Sequence, residues 1–189
     1  MGILFYVVGA SGVGKDSLLA YARSRPGKHP VLFAHRYITR PAEAGGENHV
    51  AVTAEEFARM KALGLFALDW GSHGHRYGIG IEIDRWLQAG ANVVMNGSRA
   101  YLAETSRRYP DVCVVLVEAD PDVLRLRLRQ RARESAAEIE ARVARAGAFT
   151  VNHPNLVRLR NDGPLEEAGD RLLDVLSLRS VSSHAAVLA

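Results

Sequence analysis

The chain has 189 residues, 48% of them hydrophobic and 24% charged, with a formal net charge of +3 and a pI of about 9.2. This balance is ordinary for a globular protein, and the mild basic bias suits one that handles phosphorylated small molecules. The first apolar run is too short for a membrane span or a signal-peptide core, and the single cysteine excludes a disulfide framework. No stripe of basic and aromatic residues indicates nucleic-acid binding. We therefore expect a cytoplasmic enzyme with neither a membrane nor a nucleic-acid partner.

A glycine-rich stretch follows the first apolar run, Ile3–Val8, and leads into the apolar segment Leu18–Ala22. This order predicts a strand, a phosphate-binding loop and a helix, because glycines let backbone amides curl around phosphates at a helix N-terminus. A lysine in the loop would reach the β- and γ-phosphates of ATP. The alternative is a turn without a ligand, which three glycines and a lysine between a strand and a helix disfavour. The residues predicted to bind ATP are Gly9, Ala10, Ser11, Gly12, Val13, Gly14, Lys15, Asp16 and Ser17.

The loop departs from the usual phosphate-binding pattern at one position. Asp16 follows the lysine where a serine or threonine usually contacts magnesium, and Ser17 comes next. Because a carboxylate is also a hard oxygen ligand, either Asp16 or Ser17 can hold Mg²⁺. The predicted cofactors are ATP and Mg²⁺.

Strands and helices are predicted to alternate along the rest of the chain. In order, these are a helix over about 17–25, a strand over 31–38, a helix over 53–63, a short strand over 66–70, a loop over 71–80, a helix over 82–89, a strand over 92–96, a helix over 100–108, a strand over 112–117, helices over 120–133 and 136–149, a strand over 156–159, a helix over 164–176 and a frayed tail from about 177. Thr53 and Glu56 have the spacing of a capping box. The alternation predicts an α/β fold, with helices on both faces of a mostly parallel sheet, in a single domain.

Three arginines are predicted to grip an acceptor at the carboxyl edge of this sheet, where ligands of such folds bind. Arg36 and Arg40 flank the end of the second predicted strand, and Arg99 follows the strand that ends at Asn96. Each arginine taken alone is equally well a solvated loop residue, and their shared edge favours a binding role. An acceptor that is itself a phosphate is already anionic and needs no general base.

An arginine-rich segment, 124–133, is predicted to be helical because it is long and lacks β-branched residues. Arg127 and Arg131 share one helical face, and Arg142 begins the return helix. The functional interpretation is a lid that closes over the transferred phosphate, and the alternative is a solvated arginine-rich helix.

The histidines His35, His73 and His75 do not form a helical metal-binding pair, and magnesium prefers oxygen ligands. The loop over 71–80 is instead predicted to close over a sugar or phosphate, with Tyr77 as a contact. The residues predicted only to pack in the interior are Trp70, Trp86 and Cys113.

Five motifs together resemble the ribose 1,5-bisphosphate phosphokinase family, within the guanylate kinase-like group of P-loop kinases. They are the phosphate loop, Arg-Tyr-Ile-Thr-Arg-Pro (36–41), Gly-Gly-Glu-Asn-His (45–49), His-Gly-His-Arg-Tyr-Gly-Ile (73–79) and Asn-Gly-Ser-Arg (96–99). The resemblance covers residues 3 to about 176 and includes the unusual Lys15-Asp16 pair. It implies a three-layer P-loop fold with an acceptor-binding insertion at about 35–80 and a lid at about 127–145. The implied reaction converts ribose 1,5-bisphosphate and ATP to 5-phosphoribosyl 1-diphosphate, a step associated with phosphonate breakdown.

The resemblance also implies roles for individual residues. The implied catalytic residues are Lys15, Asp16, Arg131 and Arg142, and the implied acceptor-binding residues are Arg36, Arg40, His49, Tyr77, Asn96 and Arg99. Guanylate kinase, or another nucleoside monophosphate kinase, is the competing assignment. Leu68 stands where guanylate kinases carry a guanine-reading glutamate, so guanine recognition is expected to be lost.

An inactive guanylate kinase-like module for protein binding is the lesser alternative. Such modules tend to lose the lysine and glycines that this loop keeps. The expected partners are ATP and a sugar phosphate, and the expected assembly is a monomer or a homodimer.

Overall fold

The computed structural model describes residues 1–25, 30–42, 49–131, 134–148 and 150–178. The strands are β1 (Leu4–Gly9), β2 (Val31–Phe33), β3 (Arg36–Ile38), β4 (Val50–Ala51), β5 (Phe66–Ser72), β6 (His75–Gly80), β7 (Asn92–Asn96), β8 (Cys113–Glu118) and β9 (Leu156–Arg160). The helices are α1 (Lys15–Arg23), α2 (Ala54–Ala62), α3 (Glu82–Gln88), α4 (Leu102–Arg108), α5 (Pro121–Arg131), α6 (Ala136–Ala148) and α7 (Leu165–Leu176), and a 3-10 turn spans Arg99–Tyr101. None of these helices combines the length and the apolar character that crossing a membrane requires.

A five-stranded parallel sheet forms the centre of the molecule, in the order β2-β7-β1-β8-β9. Alternate residues of β1 face opposite layers, as the two-residue period of a strand requires. Phe5 and Val7 pack in a core with Leu18 of α1 and Leu172 of α7. The intervening residues of β1 pack in a second core with α3 and the β5–β6 hairpin. The central parallel sheet with covered faces confirms the predicted α/β fold.

A second, smaller sheet has the order β4-β3-β6-β5 and lies beside the second core. The prediction of one strand over 31–38 is wrong, because the segment is divided between the two sheets. Residues 31–33 pair with β7, and the Ala34 N–H donates to the Val94 carbonyl oxygen at 2.8 Å as the last link to that sheet. Residues 36–38 then pair antiparallel with β6.

The prediction of a loop over 71–80 is also wrong, since β5 and β6 form an antiparallel hairpin there. His73 and Gly74 form its turn with φ values of 49° and 76°, the left-handed conformation typical of a tight hairpin. Gly78, one of the glycines that suggested a loop, marks a close approach instead. A Cβ on Gly78 would lie 2.5 Å from the Phe66 ring, so the strand carries a glycine where that ring packs.

The other predicted elements agree with the structure to within a few residues. The Thr53 hydroxyl accepts the Glu56 N–H at 3.0 Å and begins α2, as the capping-box spacing predicts. Cys113 is buried in β8, as predicted, and burial raises the pKa of its thiol to about 12. The predicted helix end at 26–27, the Gly-Gly-Glu-Asn part of the 45–49 motif, residues 132–133 and 149 and most of the predicted tail lie outside the described residues.

Asn92 joins the central sheet to the end of α7. Its Oδ1 accepts the Ile3 N–H at 2.9 Å, and its Nδ2 donates to the carbonyl oxygens of Leu176 at 2.9 Å and Leu178 at 3.0 Å. The side chain is only 6% exposed, so these three backbone groups depend on it rather than on solvent.

We expect Asn92→Leu to lower the free energy of unfolding by about 2–4 kcal/mol, because backbone groups buried without a partner cost about 1–3 kcal/mol each. Urea unfolding measures this change. The control is Asn152→Ala at an exposed position, which should stay within about 0.5 kcal/mol of the original protein. An unchanged stability of the Asn92 variant would contradict the structural role given to this side chain.

Candidate active site

The loop between β1 and α1 has the backbone geometry of a phosphate cradle. Gly12 and Gly14 have φ values of 93° and 96°, and Gly14 caps the N-terminus of α1. A side chain at Gly12 would also collide with α5, since a Cβ there would lie 2.8 Å from Leu128 and 3.0 Å from Leu124. The loop therefore needs glycine at these positions for its conformation and for its contact with α5.

Lys15 lies at the mouth of the loop. Its Nζ donates to the carbonyl oxygens of Gly9 at 2.8 Å and Ala10 at 3.0 Å. These bonds hold the Lys15 ammonium group beside the loop. In that position a phosphate oxygen can replace either carbonyl oxygen as the hydrogen-bond acceptor of the ammonium group.

Asp16, in the first turn of α1, and Asn96, the last residue of β7, meet beside the loop. Strands β1 and β7 are parallel with Val7 beside Asn96, which places the end of β7 next to the loop. The Asn96 Nδ2 donates to the Asp16 Oδ1 at 3.0 Å. Asn96 is 7% exposed, so this contact holds Asp16 in a defined position.

A cavity of about 460 Å³ joins the loop to the second sheet. It is lined by Gly9, Ser11, Gly12, Gly14, Lys15, Asp16, Ser17, Arg36, Trp70, Ser72, His73, Tyr77, Asn96, Gly97, Ser98, Arg99, Ala100 and Arg131. Five of the residues predicted outside the loop are thus brought together with it: Arg36, Tyr77, Asn96, Arg99 and Arg131. A cavity lined by a phosphate cradle and three arginines is suited to two anionic ligands.

The three remaining residues predicted outside the loop do not line this cavity, and neither do Ala10 and Val13 of the loop itself. His49 Nε2 lies 3.2 Å from the Arg40 carbonyl oxygen, and both residues belong to the part of the chain near the second sheet. The expectation that Arg40 lies at the carboxyl edge of the parallel sheet is wrong, because β3, the strand before it, belongs to the second sheet. Arg142 instead contacts the loop directly, donating to Ser11 Oγ at 3.0 Å, and pairs with Glu134 at 2.8 Å.

The arginines of α5 have separate partners. Arg125 pairs with Glu140 of α6 at 2.6 Å. Arg127 Nη1 donates to the Asn161 carbonyl oxygen at 2.7 Å and to the Val13 carbonyl oxygen at 3.4 Å. Arg131, at the end of α5, lines the cavity. Arg127 and Arg131 thus line one cavity of about 320 Å³ together, and of the two only Arg131 also lines the main cavity.

One wall of the cavity is aromatic. The sequence predicts Tyr77 as a contact there, but the expectation that Trp70 only packs in the interior is wrong, because Trp70 also lines the cavity. The Trp70 ring stacks on Tyr77 with a centroid distance of 5.5 Å and an angle of 6°, and on Tyr101 at 5.5 Å. The Arg36 guanidinium lies 5.1 Å from the Tyr77 ring centroid. Trp70 and Tyr77 are cross-strand neighbours in the hairpin, so recognition of β6 would have placed them together.

Tyr6 fixes the segment that carries Arg99. Its hydroxyl donates to the Ser98 carbonyl oxygen at 2.8 Å and accepts the Ser98 N–H at 2.9 Å. A Cβ on Gly97 would lie 2.4 Å from the Tyr6 ring, so the glycine allows this approach. Burial raises the pKa of Tyr6 above its usual value, which keeps the donating proton in place. Burial also lowers the pKa of Arg99 below its usual value.

Comparison with known proteins identifies the family. The chain is 55% identical to ribose 1,5-bisphosphate phosphokinase PhnN of Thiobacillus denitrificans over 185 residues, 97% of this chain and 97% of the relative. It is 51% identical to the protein of that name from Desulfomicrobium baculatum, over 97% of this chain and 99% of the relative. The chain belongs to the ribose 1,5-bisphosphate phosphokinase family. No protein-family model matches it.

The fold of this chain is guanylate kinase-like. The crystal structure of guanylate kinase from Anaplasma phagocytophilum superposes with a TM-score of 0.63 at 18% identity, over 93% of this chain and 84% of that chain. This likeness confirms the guanylate kinase-like fold predicted from the sequence. Leu68, at the position compared with the guanine-reading glutamate, is 4% exposed and packs in the core beneath the hairpin.

We expect Tyr6→Phe to lower the free energy of unfolding by about 1–3 kcal/mol, because the Ser98 N–H and carbonyl lose their buried partner while the ring stays. Urea unfolding of the variant tests this. Tyr37→Phe is the matched control, since Tyr37 is only partly buried on β3, away from the Gly97–Arg99 segment. Equal stabilities of the two variants would mean that the Tyr6 hydroxyl does not fix this segment.

Proposed function

We propose that the protein transfers the γ-phosphoryl group of ATP to the 1-phosphate of ribose 1,5-bisphosphate, giving ADP and 5-phosphoribosyl 1-diphosphate. The observation that carries the proposal is a single cavity with Lys15 of the phosphate loop on one side and Arg36 and Arg99 on the other. The relatives at 55% and 51% identity are named ribose 1,5-bisphosphate phosphokinase, which supports the same reaction.

In the proposed complex the loop amides and Lys15 bind the donor phosphates. Arg131 lines the cavity beside the loop, and Arg142 already contacts Ser11. Both are suited to offset the charge that spreads over the transferred group, which is the main task in phosphoryl transfer. An oxygen of the acceptor 1-phosphate forms a bond to the γ-phosphorus while the bond to the β–γ bridging oxygen breaks. No proton has to be removed, because the attacking phosphate oxygen is already anionic.

The chemistry of Asp16 and Ser17 fits a bound magnesium ion. Both line the cavity and offer oxygen atoms, which Mg²⁺ prefers, and Asn96 holds the Asp16 carboxylate in place. Mg²⁺ in nucleotide sites is bound by one or two protein oxygens together with the substrate phosphates. Among the described residues no group of three or more His, Cys, Asp or Glu side chains is placed to hold a metal. A magnesium ion bound partly by substrate phosphates does not require such a group. The ion neutralises phosphate charge when it is bound.

The acceptor half of the cavity is suited to a sugar bisphosphate. Arg36, Asn96 and Arg99 provide donors for phosphate oxygens, and the faces of Trp70 and Tyr77 provide an apolar surface for the ribose ring. Arg40 and His49 are close to this half through β3 and β4, and we include them as acceptor-binding residues.

Leu68 disfavours a guanine acceptor. It is buried and apolar, so it cannot pair with the N–H groups of guanine, and each group left unpaired costs about 1–3 kcal/mol.

We also infer the wider organisation from the same proposal. The chain would act as one kinase domain, with residues 35–80 as the acceptor-binding region and 127–145 as the lid. Its product would serve the phosphonate breakdown that the family resemblance implies, in the cytoplasm, as a monomer or a homodimer.

The test is a turnover assay with Mg-ATP and a panel of acceptors, followed by chromatography of the products. We expect 5-phosphoribosyl 1-diphosphate and ADP from ribose 1,5-bisphosphate, and at least about 10²-fold lower kcat/KM with GMP or AMP. Efficient phosphorylation of GMP would decide for the guanylate kinase alternative. Absence of both turnover and Mg-ATP binding would decide for an inactive module.

We expect Lys15→Met to lower kcat by about 10²-fold or more, because a charge that stabilises the transferred phosphoryl group is removed. The variant should unfold at the temperature of the original protein within a few degrees. Lys61→Met is the control. Lys61 lies on the exposed surface of α2 and pairs with Asp69 of β5, so this variant should retain full turnover. Undiminished turnover of the Lys15 variant would refute the role given to the loop.

A further inference from the structure

The carbonyl oxygen of Val13, inside the phosphate loop, is held by two side chains from distant parts of the chain. Asn161, which follows β9, donates from Nδ2 to this oxygen at 2.8 Å. Arg127 of α5 donates to it from Nη1 at 3.4 Å, and the same nitrogen donates to the Asn161 carbonyl oxygen at 2.7 Å. These three hydrogen bonds form one network, which we name the Val13 clamp: Val13, Arg127 and Asn161.

The Val13 clamp determines which way the next amide points. The carbonyl and N–H of a trans peptide point in opposite directions, so the Gly14 N–H points away from Asn161 when the Val13 oxygen points toward it. Gly14 lines the main cavity together with Lys15, and it also lines a second cavity of about 320 Å³ together with Arg127 and Asn161. The Gly14 N–H is directed away from the Asn161 side of the loop.

Glycine is necessary for this arrangement. Gly14 has a φ of 96°, and a Cβ there would lie 2.4 Å from the Asn161 Nδ2. A glycine can rotate its peptide plane easily, which makes the orientation of the amide dependent on an external constraint. The Val13 clamp supplies that constraint.

Burial of the Asn161 side chain carries a free-energy cost that packing alone does not explain. It is 3% exposed, and its Oδ1 is buried without a hydrogen-bond partner among the described residues. An apolar side chain of the same shape would avoid that cost of about 1–3 kcal/mol. Only the Nδ2 donation to Val13 distinguishes Asn161 from such a residue, which indicates that orientation of the loop is its role.

We propose that Asn161 and Arg127 are positioning residues that turn the Val13–Gly14 peptide, so that the Gly14 N–H donates to a phosphate of the bound nucleotide. This inference rests on the proposed function only in that the loop binds ATP. It does not depend on which acceptor is used. The proposal gives two arginines of α5 different roles. Arg127 positions the loop backbone, whereas Arg131 lines the main cavity.

The test measures Mg-ATP and Mg-ADP binding by calorimetry, in the absence of acceptor, for Asn161→Leu and Arg127→Met. Each change removes a donor to Val13 without adding a charge that would repel the nucleotide. We expect the Asn161 variant to bind ATP about 10-fold more weakly, and the Arg127 variant at least several-fold, while KM for the acceptor stays within about 2-fold.

Two control variants match these changes. Arg129→Met alters an exposed arginine of the same helix, and Arg160→Ala alters an exposed arginine immediately before Asn161. Both should bind ATP with the affinity of the original protein. Thermal unfolding of all four variants separates loss of stability from loss of affinity.

A second measurement reports the amide itself. In protein labelled with ¹⁵N-glycine, the Gly14 N–H signal should move downfield on addition of Mg-ADP, because the amide then donates to a phosphate. In the Asn161 and Arg127 variants this shift should be reduced at saturating nucleotide.

Variants that are less stable but bind ATP unchanged, with an unchanged Gly14 shift, would overturn the proposal and leave a purely structural role. If Asn161→Leu fails to fold, the Arg127 variant and the amide shift decide alone. Failure of the unaltered protein to bind Mg-ATP would refute the proposed function as well. Normal ATP binding by the unaltered protein combined with unaffected variants would refute only the clamp.

Discussion

The parallel pairing of β1 with β7 is the constraint on which the site depends. It sets Asn96, the last residue of β7, beside Val7, two residues before the end of β1, so the segment that follows β7 starts close to the phosphate loop. The same pairing brings Tyr6 under Gly97 and Ser98, where its hydroxyl bonds to the backbone on both sides. A shift of one residue in this pairing would turn the alternating side chains of β1 to the opposite layers. The central sheet therefore positions both the donor loop and Arg99.

The second sheet supplies one wall of the cavity. Its strands β5 and β6 place Trp70 and Tyr77 against the cavity. The fold is shared with a guanylate kinase at only 18% identity, and one framework can carry different functions. In this chain the cavity combines the aromatic residues Trp70 and Tyr77 with three arginines, Arg36, Arg99 and Arg131.

Local signals in the sequence predicted much of the framework. The start of α2 was predicted from the capping spacing at Thr53, and β8 was predicted from its continuous apolar run. Both predictions are correct, because a helix cap and a strand covered on both faces are determined by residues close together in sequence. The phosphate loop was predictable for the same reason. Glycine misled the prediction in β6, since Gly78 serves a contact with Phe66 that no local pattern reveals.

The remaining features of the site depend on contacts between residues far apart in sequence. The division of 31–38 between two sheets follows from pairing with β7 and β6, and nothing within the segment itself marks the break. Asn96 reaches Asp16 across 80 positions, and Arg127 reaches Val13 across 114. Helical spacing placed Arg127 and Arg131 on one face, but only the folded chain shows that Arg127 bonds to the loop backbone and that Arg131 reaches the main cavity.

The close approach of Gly12 to Leu124 and Leu128 limits which segments of this enzyme can be exchanged with those of other proteins. The base of the arginine-rich helix occupies the space where a side chain on the loop would stand, so the two segments form one interlocking unit. A chimera that imports a loop with a larger residue at this position must also import a helix with smaller residues opposite it. Exchange of the loop alone would press its new side chain against Leu124 and Leu128 and disturb the nucleotide side.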